Sequence, residues 1–119
     1  MNKTLVIIAL FIGLLSCGST QKKRGLRELC ALPKGLKEIS GIAFADNLLY
    51  SIEDSGNESK VILFDLKGKI KRSIAINDTK NVDWEDLTFD TKGNLYIGDF
   101  GNNDNIRKDL AIYKIDKTK

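Results

Sequence analysis

The sequence contains no histidine, and that one absence removes many catalytic possibilities. A Ser-His-Asp triad, a histidine-assisted cysteine nucleophile and any histidine-ligated zinc or iron centre cannot be assembled from this chain alone. A GxxxxGK[ST] phosphate loop is also missing. Cysteine is scarce, with only Cys17 and Cys30. The longest apolar run, Leu5 to Leu15, is 11 residues when Gly13 is counted, about half of the ~20 that a membrane-crossing helix needs. Charge of neither sign dominates. A formal net charge of +3 from 19 basic and 16 acidic residues points neither to nucleic acid nor to an acidic partner.

What is present begins at the N-terminus. Lys3 followed by the short apolar run has the form of a secretory signal, and it ends Leu14-Leu15-Ser16-Cys17, which looks like a bacterial lipobox. Residues 1–16 are therefore expected to be a lipoprotein signal peptide, forming a signal helix, and Cys17 the acylated first residue of the mature chain. Two or three acyl chains, at about 0.8 kcal/mol per buried CH₂, hold a protein on a bilayer stably where one does not. The alternative is an unmodified cysteine in an ordinary signal peptide. The expected location is the bacterial cell envelope, on the periplasmic or surface side, with the lipid bilayer as a partner. Residues 17–31 then form a tether, polar and basic around Lys22, Lys23 and Arg24. With Cys17 acylated, Cys30 has no disulfide partner, and between Leu29 and Ala31 it is expected to be a small buried apolar residue.

From Leu36 onward apolar residues alternate with polar ones, the period of strands. Ile42 and Phe44 share one face, then Leu48, Tyr50 and Ile52, then Ile62, Phe64 and Leu66, then Ile70, Arg72, Ile74 and Ile76. The pattern restarts with Leu87 and Phe89, continues through Leu95 and Ile97 and reaches Ala111, Tyr113 and Ile115. Asp65-Leu66-Lys67-Gly68-Lys69 and Asp90-Thr91-Lys92-Gly93-Asn94 place glycine where a tight hairpin needs positive φ.

The restart is a repeat. Ile42 and Leu87, Phe44 and Phe89, Asp54 and Asp99, Gly56 and Gly101, and Asn57 and Asn102 are each separated by 45 residues. Tyr50 and Tyr96 are 46 apart, which implies a one-residue shift at the first hairpin, undone at the end of the second strand. Four-stranded units recurring every 40 to 50 residues are the signature of β-propeller blades. The expected fold is all-β, about two four-stranded antiparallel blades of an incomplete propeller over 32–119, with blade one near 38–76 and blade two near 83–119. A small seven-stranded sandwich is the alternative; it would not require the connecting loops to echo one another. Known propellers close with about four to eight blades. The chain is therefore expected to be part of a larger propeller, with assembly from several copies as the second explanation and an isolated open fragment as the third.

The stretches EISGIAF, DWEDLTFD, GNLYIGDFGNN and LAIYKI resemble exported bacterial propeller proteins of the SdiA-regulated and NHL-like group, which includes lipoproteins of Bacteroidetes. The resemblance covers about Leu32 to Asp116 and implies fold and location more than activity. More distantly the pattern is similar to phytase-like propellers, some of which are calcium-dependent hydrolases, with no residue set here that transfers a catalytic role.

Strand parity gathers the longer connectors, 53–60, 77–86 and 99–109, at one pole, with most of the acidic residues. Lys37, Lys60, Lys80, Arg107 and Lys108 offset only part of that charge. Oxygen-rich loops suit Ca²⁺, which takes six to eight oxygen ligands. The candidate metal ligands are Glu53, Asp54, Asn57, Asp99, Asn102, Asn103 and Asp104; the same residue types are also ordinary turn material. Asp83, Trp84, Glu85 and Asp86 are candidates for the ligand face, with Trp84 either stacking on a ligand or packing at a seam. Glu85 and Asp86, as neighbours on a strand, point to opposite faces and cannot flank one bond. The expected function is a membrane-anchored binding or scaffold module meeting an envelope protein or carbohydrate, with Ca²⁺ the candidate cofactor; the alternative is part of a calcium-dependent phosphoesterase or esterase.

Overall fold

The computed structural model describes residues 25–117. The expected signal peptide, its helix and Cys17 lie outside that range, and of the tether only 25–31 is described, without regular structure. The described residues form seven strands and no helix: β1 (Ile39–Ala45), β2 (Leu48–Glu53), β3 (Lys60–Phe64), β4 (Ile70–Ala75), β5 (Trp84–Phe89), β6 (Leu95–Asp99) and β7 (Ala111–Ile115). They make two antiparallel meanders, a four-stranded sheet in the order β1-β2-β3-β4 and a three-stranded sheet in the order β5-β6-β7. The second unit thus has one strand fewer than the first.

Local chemistry explains the turns. Asp46 and Asn47 both take positive φ, the conformation that a two-residue hairpin of matching twist demands and that these two residue types tolerate. The two aspartate-glycine hairpins close alike: the Asp65 amide donates to the Lys69 carbonyl and the Gly68 amide to the Asp65 carbonyl, while Asp90, Asn94 and Gly93 repeat the arrangement. In each, the aspartate carboxylate accepts from two further backbone amides. Asn94 Nδ2 and the Tyr96 hydroxyl also donate to Asp90, and these bonds pull its carboxyl down to about 2.

The two sheets are copies. Ile39 stands opposite Glu53 and Ile42 opposite Ser51, with one extra residue on β1 between them. Trp84 stands opposite Asp99 and Leu87 opposite Ile97, again with one extra residue, Glu85, one position nearer the start of β5 than Gly41 is on β1. Ile42 and Leu87 are therefore structural counterparts. Phe44 pairs with Leu49 but Phe89 with Leu95, so the second hairpin is one residue longer, as the tyrosine spacing implies. The shift is not undone at the strand's end: the counterpart of Asp99 is Glu53, not Asp54. The loops differ accordingly, since Gly56 has positive φ and Gly101 does not. In β4 the regular alternation also fails, because the register slips between Leu63 and Phe64 and sets Ile70 opposite Phe64 while Arg72 and Ile74 face Leu63 and Val61.

The sheets share one core. Ile52, Val61 and Leu63 of the first sheet meet Trp84, Leu87, Leu95 and Ile97 of the second, with Ala43, Tyr50 and Phe89 packed around them. Tyr50 and Phe89 meet edge to face at 4.9 Å between ring centroids, a geometry that adds about 0.5–1.5 kcal/mol to the burial itself. The strands approach most closely at the β1 bulge. Gly41 has φ +52°, and a Cβ there would lie 2.8 Å from the Asp86 Cα. Ser51 Oγ donates to the Gly41 carbonyl at 2.7 Å, and Ser40 Oγ donates across the seam to the Trp84 carbonyl at 2.8 Å.

Gly41→Ala combines backbone strain with a backbone collision across the seam. It should lower unfolding stability by about 2 kcal/mol or more, read as a lower urea midpoint with unchanged slope; a midpoint equal to wild type would mean that the two sheets are not held this close.

Candidate functional site

The three longer connectors meet at one pole: Asn81 joins the first to the linker between the sheets, and Asp83 ties in the third through Asp99 and the Gly101 amide. Asn81 Nδ2 donates to the Glu53 carbonyl at 2.8 Å and the Asp54 carbonyl at 2.9 Å. Its Oδ1 accepts from the Trp84 amide at 3.1 Å, and its own amide donates to Ser59 Oγ at 2.6 Å. One buried amide side chain thus fixes the exit of β2, the entry to β5 and the linker between the sheets. Sequence reasoning passed Asn81 by, because an asparagine in a polar linker looks like any turn residue; the only signal was its place three residues before a tryptophan that opens a strand.

Two buried carboxylates follow from the repeat. Glu53 pairs with Lys60 at 3.0 Å and accepts from the Lys37 amide. Burial pushes its carboxyl up, but the bonds from the Lys37 amide and the Lys60 ammonium outweigh that and hold it below the ordinary glutamate range. Its contribution to stability is present above that ordinary range and is lost as pH falls through the lowered value. Asp99, the counterpart, pairs with Arg107 at 2.8 Å and accepts from the Asp83 amide at 3.0 Å. Arg107 Nη1 also donates to the Gly101 carbonyl, and the guanidinium reaches Asp109 at 3.1 Å. Each buried acid therefore has its own cation, as buried charge requires.

Three acids with no ion pair among the described residues come together instead. Asp54, Asp83 and Glu85 each offer a carboxylate oxygen within 4.8 Å of the others. Burial, followed by a hydrogen bond to Asp54 and its charge, pushes the Asp83 carboxyl up, with Arg107 opposing. Burial and then the charges of Asp54 and Asp83 push Glu85 up as well.

Of the seven candidate metal ligands, Asp54 joins this cluster. Glu53 and Asp99 are committed to their ion pairs. Asn57 Nδ2 donates to Glu38 and to the Asp54 and Ser55 carbonyls, and Asn102 caps its own loop by accepting from the Arg107 amide. Asn103 and Asp104 are exposed. Of the ligand-face candidates, Asp83 and Glu85 reach the cluster. Asp86 instead lines the outer face of the second sheet, so the opposite orientation expected of the two neighbours holds. Trp84 is 0% exposed and sits between the sheets, leaving no ring face on which a ligand could stack.

Comparison with protein-family models, curated proteins and solved structures gives no match. The site therefore rests on its own geometry.

Two outcomes follow. Asn81→Ala orphans two buried carbonyls and one amide, and should cost about 2–4 kcal/mol in chemical denaturation, with Asn81→Asp recovering little because it replaces the donor. Glu85→Gln removes a repelling charge. A carboxyl raised in the folded state penalises folding once pH exceeds its ordinary value, so this variant should be more stable than wild type at pH 7 by about 0.5–1 kcal/mol, with the gap closing towards pH 4. A gap independent of pH would show that charge is not its source.

Proposed function

We propose that the chain is a binding module of two β-propeller-type blades, held at a bacterial membrane through Cys17, and that its loop pole takes a ligand containing a divalent cation, with Ca²⁺ the fitting ion. The observation that carries the binding reading is the convergence of Asp54, Asp83 and Glu85, drawn from the β2–β3 connector, the linker between the sheets and the start of β5. The neighbouring buried acids each have a cation; among the described residues these three have no ion pair. Burial, and then the charges of their neighbours, raise the carboxyls of Asp83 and Glu85; a bound cation relieves that repulsion, and carboxylate oxygens in flexible loops are the ligands Ca²⁺ prefers.

The blade reading is supported by the shared bulge, the matched registers and the sequential meanders. It is also supported by the way the second sheet lays one face on the opposite face of the first, a relation that a blade repeats around an axis and a sandwich of two inward faces does not. The membrane tether rests on the lipobox-like LLSC.

Calcium binding at this pole should raise the thermal midpoint of the full chain, since ligand at ten times Kd stabilises by about 1.4 kcal/mol. Asp83→Asn should abolish the shift while Asp104→Asn, which alters an exposed acid outside the cluster, leaves it intact. No midpoint shift at millimolar Ca²⁺ would remove the cation from the proposal; equal shifts in both variants would move it to another site.

A further inference from the structure

The seam between the two sheets is heterologous. The face of the second repeat that carries Leu87, Phe89 and Ile97 lies on the face of the first that carries Ala43, Tyr50 and Ile52. By register, Ile42 and Phe44 are the first-repeat counterparts of Leu87 and Phe89, and they are 56% and 57% exposed. On the second repeat, Thr88, Tyr96 and Gly98 are the counterparts of Ala43, Tyr50 and Ile52, and they line an open apolar depression with Phe100 and Ile112. The Phe100 ring occupies the space where a Gly98 side chain would stand, 1.8 Å from its Cβ position. It thereby supplies the apolar bulk that Ile52 supplies in the first repeat. Ile112 is 70% exposed there.

Each free face is thus the mate of the other, and the molecule contains the template for how they join. We infer that a second copy of this chain docks head to tail, its Ile42 and Phe44 seated on Tyr96, Phe100 and Ile112 of the first. The Phe44 ring takes the place against Tyr96 that Phe89 holds against Tyr50. The occupant is a second copy because both halves of the contact are present on this one chain, displaced from each other by the same step that relates its two repeats. Elsewhere on the first sheet Ile62 and Phe64 are already buried, and Cys30 and Ala31 pass beside Gly68, so the docking contact centres on the β1 strip. Within the chain β5 meets the opposite face of β1, at Gly41 and Ala43, so the Ile42–Phe44 strip stays open to a second copy. A contact of this kind propagates, closing into a ring if the rotation permits and into an open chain if it does not.

Sedimentation velocity of the full chain in mild detergent, across micromolar concentrations, tests this directly. Wild type should associate, and Phe44→Glu or Ile112→Glu alone should each weaken association by about tenfold or more. Mixing those two variants should then yield a dimer and nothing larger, because one intact face remains on each. Circular dichroism of each variant, matching wild type, separates a lost contact from a lost fold. A monomeric wild type would overturn the inference, and that result would mean that something other than a copy of this chain covers the faces. Association unchanged in either single variant, or no dimer from the mixture, would also overturn it. None of these readouts involves Ca²⁺, so the pole can fail as a cation site without touching this contact, and the reverse.

Discussion

The Asn81 side chain is the constraint on which the pole depends. An amide buried between sheets has four hydrogen-bonding positions to satisfy, and leaving one empty costs about 1–3 kcal/mol. Here two carbonyls at the end of β2 and one amide at the start of β5 answer it. Because those partners belong to different sheets, satisfying the amide also sets the sheets' separation and relative height. The seam contacts, from the Ser40 hydroxyl to the Trp84 carbonyl and from Gly41 to the Asp86 backbone, are made at that height. The hydrophobic core supplies the larger share of the driving force, but it is tolerant of small slides in a way that this hydrogen-bond set is not.

The same positioning creates the electrostatic problem at the pole. Ending β2 at Glu53 and β6 at Asp99 puts one carboxylate of each repeat in the interior, and each needs a cation to remain there charged. Lys60 and Arg107 serve that purpose, and they come from different points of their loops: Lys60 opens β3, while Arg107 reaches back from a connector several residues longer. Both cations are then spent on buried partners. Among the described residues, the cation that acts on Asp54, Asp83 and Glu85, brought together by the Asn81 junction, is the more distant Arg107, through Asp83. The repulsion among them is a consequence of where the cations are committed, not of an excess of acid over base in the chain as a whole.

The strands and the repeat were legible because alternation and the 45-residue spacing are direct images of the sheet's geometry. The gathering of the three connectors at one pole was legible for the same reason, since parity alone decides it. Three features were not. The bulges at Gly41 and Glu85 add a residue without disturbing the hydrophobic pattern enough to be seen, so the equivalence of Asp54 with Asp99 looked sound although Glu53 is the true counterpart. The slip beside Phe64 turned Ile70 away from the face of Ile74 for a similar reason. Finally, composition marked Glu53, Asp54 and Asp99 alike as oxygen ligands. Only coordinates separate a carboxylate already claimed by Lys60 or Arg107 from one left with its own kind.

Phe100 shows how a repeat can drift while its packing logic persists. In the first sheet the apolar bulk at this position is Ile52, a residue of the strand itself. In the second the strand carries Gly98, and the bulk arrives from Phe100, two residues later and already in the connector. A glycine in the middle of a strand weakens it and ordinarily needs a reason; here the reason is the ring laid over it. The substitution conserves the shape of the face but changes its attachment, from a side chain anchored in a paired strand to one carried by a loop that also holds Gly101 and Asn102 of the pole. The contact face of the second sheet and the acidic pole are therefore connected through four consecutive residues of backbone, Asp99 to Asn102, whose near end is fixed by the Asp99–Arg107 pair. Disturbing that pair would be felt on the apolar face as well as at the pole, whereas the Glu53–Lys60 pair in the first repeat has no such reach, because Ile52 stands on the strand side of its acid.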